Sequence, residues 1–350
     1  MAGSKQRTKV GDHARTALII SGGAPNATLM AGALAAFHEQ GLKFDVISTA
    51  GAGALLGLMY AAPANGDPVS TLAGLKDLGV ADPLYQAFPV NYKVFNKPGM
   101  AAEVYRRMLA LNPLVQQIME WPATDSLSQF AKDSAQLMWA CACPSDLNSM
   151  SLGLCAHVPF AEQIIDFAAV PHIEPAFYVN AFNLLSKQME NFGKDQLTVP
   201  HLQAALSFPF LYPPTELGDG LYIEGAALDC LNFHGLLDRH PHLEEIVVFD
   251  ILGAEKLLRA PRDLYDAWVM SIITPLIEIA RDDLKLFEAE HLGKYPKLRK
   301  PCRVPLIDDI PEADLPDVFD WSRSNLARLY DIGYQAGLRS AQGPLRHLTA

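Results

Sequence analysis

The chain has 350 residues, half of them hydrophobic and 19% charged, and its 28 basic and 39 acidic side chains leave a net charge of −11. That balance belongs to folded globular proteins with ample core and excludes wholesale disorder and fibrous architecture. An acidic chain with no Lys/Arg stripe also lacks the footprint of phosphate-backbone binding, which argues against nucleic acid as a partner.

Residues Met1 to His13 read as a flexible polar tail. The apolar run behind it, Ala17 to Ile20, is too short for a secretory signal core. The longest apolar stretch, Ala50 to Ala62, falls short of the roughly 20 residues that span a bilayer. Five cysteines are an odd number in a long chain, so a reducing, cytoplasmic setting is expected rather than a disulfide framework.

Thr16 to Ser21 reads as a buried strand running into Gly22-Gly23. From Thr28 to Gln40, Leu29, Ala33 and Phe37 recur at helical spacing, with Gly41 where a C-cap belongs. Phe44 to Ser48 repeats the strand, runs into Thr49-Ala50-Gly51-Ala52-Gly53, and is followed by an Ala/Leu/Met helix to Ala62. Two strand, turn and helix units in succession predict a parallel sheet covered on both faces. Pro98 to Ala169 is mostly helical in pattern, broken at Pro122 and Pro144, and could cap a site. Strands return at Phe177 to Phe182, at Leu221 to Glu224 after the turn Asp219-Gly220, and at Glu245 to Ile251. Asp263 to His291 reads as one long amphipathic helix, Lys294 to Pro305 as a basic, proline-punctuated linker, and Trp321 to Ala341 as a final helix.

Glycine-rich turns at the ends of adjacent parallel strands put backbone N–H groups and helix N-termini at one sheet edge, where α/β sites lie. Ile19-Ile20-Ser21-Gly22-Gly23-Ala24-Pro25-Asn26, then Phe44-Asp45-Val46-Ile47 leading into Ala52-Gly53-Ala54-Leu55, resembles the patatin-like phospholipases. His201 to Pro209, Tyr212-Pro213-Pro214 and Tyr222-Ile223-Glu224-Gly225-Ala226 are similar to the family's segment before and through its catalytic acid. The resemblance covers most of Thr16 to Ile251, and Asp320 to Tyr334 is more weakly similar to a C-terminal extension of one bacterial branch. It implies a three-layer α/β/α fold with a mainly parallel sheet and a helical C-terminal extension. The expected division is a tail over 1–13, a patatin-like α/β domain over 14–255 with a helical insertion at about 98–169, and an extension over 256–350 packed on it.

Such enzymes use a nucleophilic Ser at a G-x-S-x-G elbow with an Asp as its partner, and a glycine-rich loop supplies the oxyanion hole. Here the aligned elbow is Thr49-Ala50-Gly51-Ala52-Gly53, so the nucleophile position falls on Gly51, which carries no hydroxyl. The acid position falls on Glu224, one methylene longer than Asp. The oxyanion loop falls on Gly22, Gly23, Ala24, Pro25, Asn26 and Ala27, without the family's third glycine and basic residue, and Pro25 has no N–H to donate. The resemblance thus implies an acyl-hydrolase fold that has lost Ser–Asp hydrolysis while keeping an acyl or lipid ligand, or a protein partner, with Gly22, Gly23, Ala24, Asn26 and Ala52 as oxyanion or ligand-binding positions. The alternative is a lipid acyl hydrolase or other acyl-group enzyme working by an altered mechanism in which Glu224 acts as a general base on water. Thr49 or Ser48 as a displaced nucleophile is disfavoured, because each precedes the apex.

Other patterns carry blander readings. Gly51 to Gly57, with Asp77 downstream, fits a variant dinucleotide loop, but small residues allowing close helix–sheet packing explain it more simply. Cys141, Cys143, Cys155 and His157 invite a metal site, yet their spacing matches no familiar zinc pattern and buried packing is preferred, so no metal or cofactor is expected. Cys230 and His234 follow the acid closely enough to approach the site. Asp282-Asp283 and Asp308 to Asp317 read as solvated faces. Lys294, Lys297, Arg299 and Lys300 form the one concentrated basic patch, a solvated linker by default or a peripheral contact with anionic lipid. Phe208 to Tyr212 could line an acyl pocket.

Overall fold

The computed structural model describes residues 15–23, 26–123, 125–157, 161–249 and 255–349. The N-terminal tail, Ala24 and Pro25 of the glycine loop and Ile251 lie outside the described residues. Eight strands form one sheet: β1 (Thr16–Ile20), β2 (Val46–Thr49), β3 (Ala176–Asn183), β4 (Gln188–Gly193), β5 (Thr215–Leu217), β6 (Gly220–Glu224), β7 (Glu245–Phe249) and β8 (Cys302–Arg303). The order is β5-β6-β3-β2-β1-β7-β8, with β4 also paired to β3. Pairing is parallel from β3 through β2, β1 and β7 to β8, and antiparallel at β4, β5 and β6. β2 and β7 are buried along their whole length and β1 nearly so, as strands covered on both faces must be.

The first two units are as their patterns predict: α1 (Ala27–Glu39) follows β1, and α2 (Ala52–Ala61) follows β2. Then come α3 (Pro68–Ala73) and α4 (Asp82–Ala87), before a helical segment of α5 (Met100–Ala110), α6 (Pro113–Glu120), α7 (Ser126–Ala142) and the one-turn α8 (Ala161–Ile164). α9 (Val199–Ala205) and α10 (Leu236–Arg239) are short, whereas α11 (Leu264–His291) and α12 (Arg323–Gln342) are long. Asp263 caps α11 by accepting the Asp266 N–H, as its place before the periodic run suggests.

Three features depart from the sequence expectations. The hairpin turn is Gly218-Asp219, with Gly218 at φ +58° joining β5 to β6, rather than Asp219-Gly220. The basic linker contributes β8, which pairs with β7 at the sheet edge. Asp283 is not a solvated face: its carboxylate accepts the N–H groups of Cys230 and Leu231, 3.0 and 3.4 Å away, and so ties α11 to the loop that follows β6.

α12 lies directly on α1, and small residues make the approach possible. A Cβ on Gly333 would fall 1.9 Å from the Leu29 carbonyl oxygen, and one on Gly32 2.0 Å from that of Tyr330. One continuous apolar core therefore runs from β1 and α1 to Leu329, Ala336 and Leu345 near the C-terminus.

Candidate active site

The topology brings two chain reversals together. β4 occupies one edge of β3 through Tyr178 and Ala181, so β2, paired with Ala176 to Val179, and β6, paired with Ala181 to Asn183, must share the other. β2 runs parallel to β3 and ends with Thr49 opposite Val179, while β6 runs antiparallel and ends with Glu224 opposite Ala181. The two strands meet head to head, and the residues just beyond their ends converge.

Beyond β2 the chain turns sharply into α2, with Gly51 at φ +50° and ψ −129°. A side chain at this apex would be strained, and glycine relieves that strain. A Cβ on Gly51 would lie 2.1 Å from Glu224 Oε1 and 3.0 Å from the Ala226 Cβ. The Glu224 carboxyl therefore occupies the volume that a side chain at the apex would need. Gly22 closes the third side, since its Cβ would lie 2.6 Å from the Ala226 Cβ and 3.7 Å from Glu224 Oε1. Of the sequence-derived positions, the structure thus brings Gly22, Gly51 and Glu224 together. Ala52, as the first residue of α2, has an N–H with no intrahelical acceptor.

The loop after β6 is stitched to the elbow by residues that the sequence did not single out. Asn232, fully buried and at φ +47°, donates from Nδ2 to the Thr49 carbonyl (2.9 Å) and to Asn191 Oδ1 (2.8 Å), and its own carbonyl accepts from Ser48 Oγ (2.8 Å). Asn180 donates to the Asp229 carbonyl, and the Glu224 N–H donates to the Ser207 carbonyl. Ser207 Oγ lies 3.1 Å from His157 Nε2, and the His157 ring stacks on Tyr212 at 4.6 Å.

Residues 18–237 match the patatin-like phospholipase family. The chain belongs to that family. Among solved structures, the crystal structure of VipD from Legionella pneumophila is similar at 15% identity and a TM-score of 0.38, covering 94% of this chain and 66% of that one. No curated protein matches the chain.

In this patatin-like chain the acid is neutralised by its surroundings. Glu224 is 9% exposed, and burial pushes its carboxyl up to about 8. No hydrogen bond to its carboxyl occurs among the described residues, so nothing offsets the cost of charging it. Burial drives His157 the other way, down to about 4, leaving a neutral imidazole. Asp283 is raised to about 7 by burial and by the nearby carboxylate of Asp229, which is itself raised by burial.

The positions expected to form an oxyanion loop divide. The Gly22 N–H donates to the Cys230 carbonyl at 3.3 Å, whereas Gly23, at φ +125°, has no acceptor for its N–H among the described residues. Ala24 lies outside the described residues. Asn26 is fully buried, and neither Oδ1 nor Nδ2 has a hydrogen-bond partner among the described residues.

The remaining candidates have structural roles. Thr49 Oγ1 donates to the Tyr178 carbonyl and Ser48 Oγ to that of Asn232, so both buried hydroxyls hold backbone. Gly53 sits where a Cβ would be 2.2 Å from the Ile20 carbonyl oxygen, and Gly57 where it would be 2.8 Å from the Phe177 ring. Close helix–sheet contact thus accounts for both glycines, and Asp77 pairs with Arg323. Among the described residues no group of His, Cys, Asp or Glu could hold a metal ion. Cys143 and Cys155 are buried, and Cys141 is exposed. Cys230 is buried beside the Asp283 carboxylate, and His234 uses its carbonyl to accept from Asn191. In the basic patch, Arg299 pairs with Glu245 and Lys300 with Glu288. Phe210 is 59% exposed and packs near Trp268. Among the described residues no helix is long and apolar enough to cross a membrane.

Proposed function

We propose that this patatin-like chain acts in lipid or acyl metabolism by binding an acyl ligand or a protein partner, without Ser–Asp acyl hydrolysis. The observation that carries the reading is the 2.1 Å separation between a Cβ at Gly51 and Glu224 Oε1. A serine elbow needs its apex side chain to stand free toward substrate, with a partner that takes its proton. Here the apex has no hydroxyl, and the lengthened acid fills the place of one. The acid is also protonated at neutral pH, which leaves it a poor proton acceptor.

The reading extends to the rest of the chain. Residues 14–255 would form the patatin-like domain with its insertion at 98–169, and residues 256–350 the extension upon it. The free cysteines suit a cytoplasmic setting. The apolar residues exposed along α5, Met100, Val104, Met108 and Leu111, would serve a protein partner or a peripheral membrane contact.

Hydrolysis of short and long acyl esters, with fluorophosphonate labelling, tests this on the wild type, Gly51→Ser and Gly51→Ser/Glu224→Asp. The wild type is expected to be inert. Gly51→Ser alone is expected to react poorly, because the new side chain meets the Glu224 carboxyl, and shortening the acid in the double variant is expected to release labelling. Wild-type turnover would overturn the reading.

One observation favours a second mechanism. A carboxyl that titrates at about 8 could act as a general base in alkaline solution, giving ester turnover that rises through that pH and vanishes in Glu224→Gln. It ranks second because the carboxyl itself takes up the space an attacking water would use.

A further inference from the structure

A large cavity, about 1160 Å³, lies away from the elbow: Gly22, Gly51 and Glu224 do not line it. It runs between residues 77–97 and helices α5, α6 and α7, and one end is formed by Leu154 and Cys155. Its volume exceeds the roughly 300–1,000 Å³ typical of small-molecule pockets. The walls are mainly apolar, with Leu78, Phe88, Phe95, Leu109, Met119 and Leu137 among them.

Polar groups at the cleft divide into two sets. One is internally satisfied. Lys93 pairs with the buried Asp133 at 2.9 Å, Asp133 also accepts from the Ala81 N–H and Gln129 Nε2, and Arg323 pairs with Asp77. The other is not neutralised. Lys97, Arg106 and Lys132 line the cleft with no ion-pair partner among the described residues; each donates only to backbone carbonyls, those of Cys141 and Cys143, of Lys97 and of Trp121 respectively. Among the described residues the one further carboxylate lining the cleft is Glu120. A cleft with surplus positive charge on a chain of net charge −11 is a local reversal of sign.

We infer that this cleft binds an anionic long-chain amphiphile, its acyl chain against the apolar walls and its carboxylate or phosphate head drawn in by the surplus charge of Lys97, Arg106 and Lys132. Apolar walls alone would suit any greasy ligand. The unneutralised cations select an anion: Arg106 donates to the Lys97 carbonyl at one end of the cleft, and Lys132 lies towards the other end of α7. The inference rests on the acyl-binding reading above for its ligand class, but uses none of the elbow residues.

Two tryptophans, Trp121 and Trp139, line the cleft and report on it. The full chain is titrated with dibromostearate and with a brominated lysophosphatidate, and tryptophan quenching is followed below the concentration at which either amphiphile forms micelles. Saturable quenching is expected, weakened in Trp121→Phe and Trp139→Phe. Affinity for the matching bromo-alcohol is expected to be lower by about tenfold or more, and Arg106→Glu/Lys132→Glu should lose a similar factor with unchanged circular dichroism. Leu109→Trp, which fills the cleft without altering charge, should weaken both anions. Tighter binding of the carboxylate identifies a fatty acid and of the phosphate a lysophospholipid; either supports the inference. Equal affinity for alcohol and acid, quenching that never saturates, or a charge-reversed variant that binds like the wild type overturns it. Glu224→Gln separates the two readings: it should bind as the wild type does, and loss of binding there alone would move the acyl site to the elbow. Ester turnover by the wild type would defeat the non-hydrolytic reading and leave this binding untouched.

Discussion

Around the elbow and under α12, glycines are placed where the chain leaves no room for a side chain: Gly53 against the Ile20 carbonyl, Gly22 against the Ala226 Cβ, and Gly333 of α12 against the Leu29 carbonyl. Along α5 and at its C-cap, Met100, Val104, Met108 and Leu111 are 77, 51, 67 and 80% exposed, while Leu109 lines a cleft. The first region has no spare volume, and the second has apolar surface on two sides with little pressed against it. The contrast teaches that positions fixed by close packing and positions available to a ligand are segregated in this chain. Interiors at crystal-like density resist any added methylene, whereas loosely covered helices tolerate change.

Substitutions can break that contrast in graded steps. Gly333→Leu should have the largest effect, about 3 kcal/mol or more, because the new side chain must displace the α1 backbone at Leu29. A urea midpoint close to that of the wild type would mean that α12 does not press on α1. Asn232→Ala should cost roughly 2 kcal/mol by leaving the buried Thr49 carbonyl without its donor. It should also loosen the loop after β6, visible as faster amide exchange near Gly225 to Leu231.

The pH dependence of stability sharpens the comparison further. Burial raises Glu224 from 4.5 to about 8 and Asp283 to about 7, so between their unfolded and folded values the native state holds more protons than the unfolded chain. Stability is then fully present below the unfolded values and is lost as pH rises through the folded ones. The wild-type melting temperature should fall from pH 5 to pH 9, and Glu224→Gln should flatten much of that fall and melt above the wild type at pH 9. Equal slopes for the two proteins would mean that Glu224 is not held neutral. The smallest effect belongs to the insertion: Met108→Gln, at a 67% exposed position, should change stability by about 0.5 kcal/mol or less in chemical denaturation.

Much of the architecture was legible because local pattern and local structure coincide there. Hydrophobic runs ending in Gly22-Gly23 and in Gly51 gave β1 and β2 with their helices, and Asp263 marked the start of α11. Short elements without a strong pattern, β4, β5 and β8, were not legible, since their existence depends on a neighbouring strand edge that offers hydrogen bonds. Asp283 was misread as a solvated face because a carboxylate in an acidic pair looks exposed until a distant loop presents its N–H groups. Asn232 carries no sequence signal at all, and its partners, Thr49 and Asn191, are far away along the chain.

By itself the sequence determined which residue types are available: a glycine at the expected elbow apex, a glutamate at the expected acid position, and a family likeness over most of the first 250 residues. Only the tertiary structure decided that a side chain at Gly51 and the Glu224 carboxyl would occupy the same volume. Residue identity is a local property, whereas the approach of Gly51 to Glu224 depends on β2 and β6 ending head to head on one edge of β3. The same holds for the cleft, where Lys97, Arg106 and Lys132 are scattered basic residues along the chain and come to line one cleft only when helices α5, α6 and α7 fold over residues 77–97.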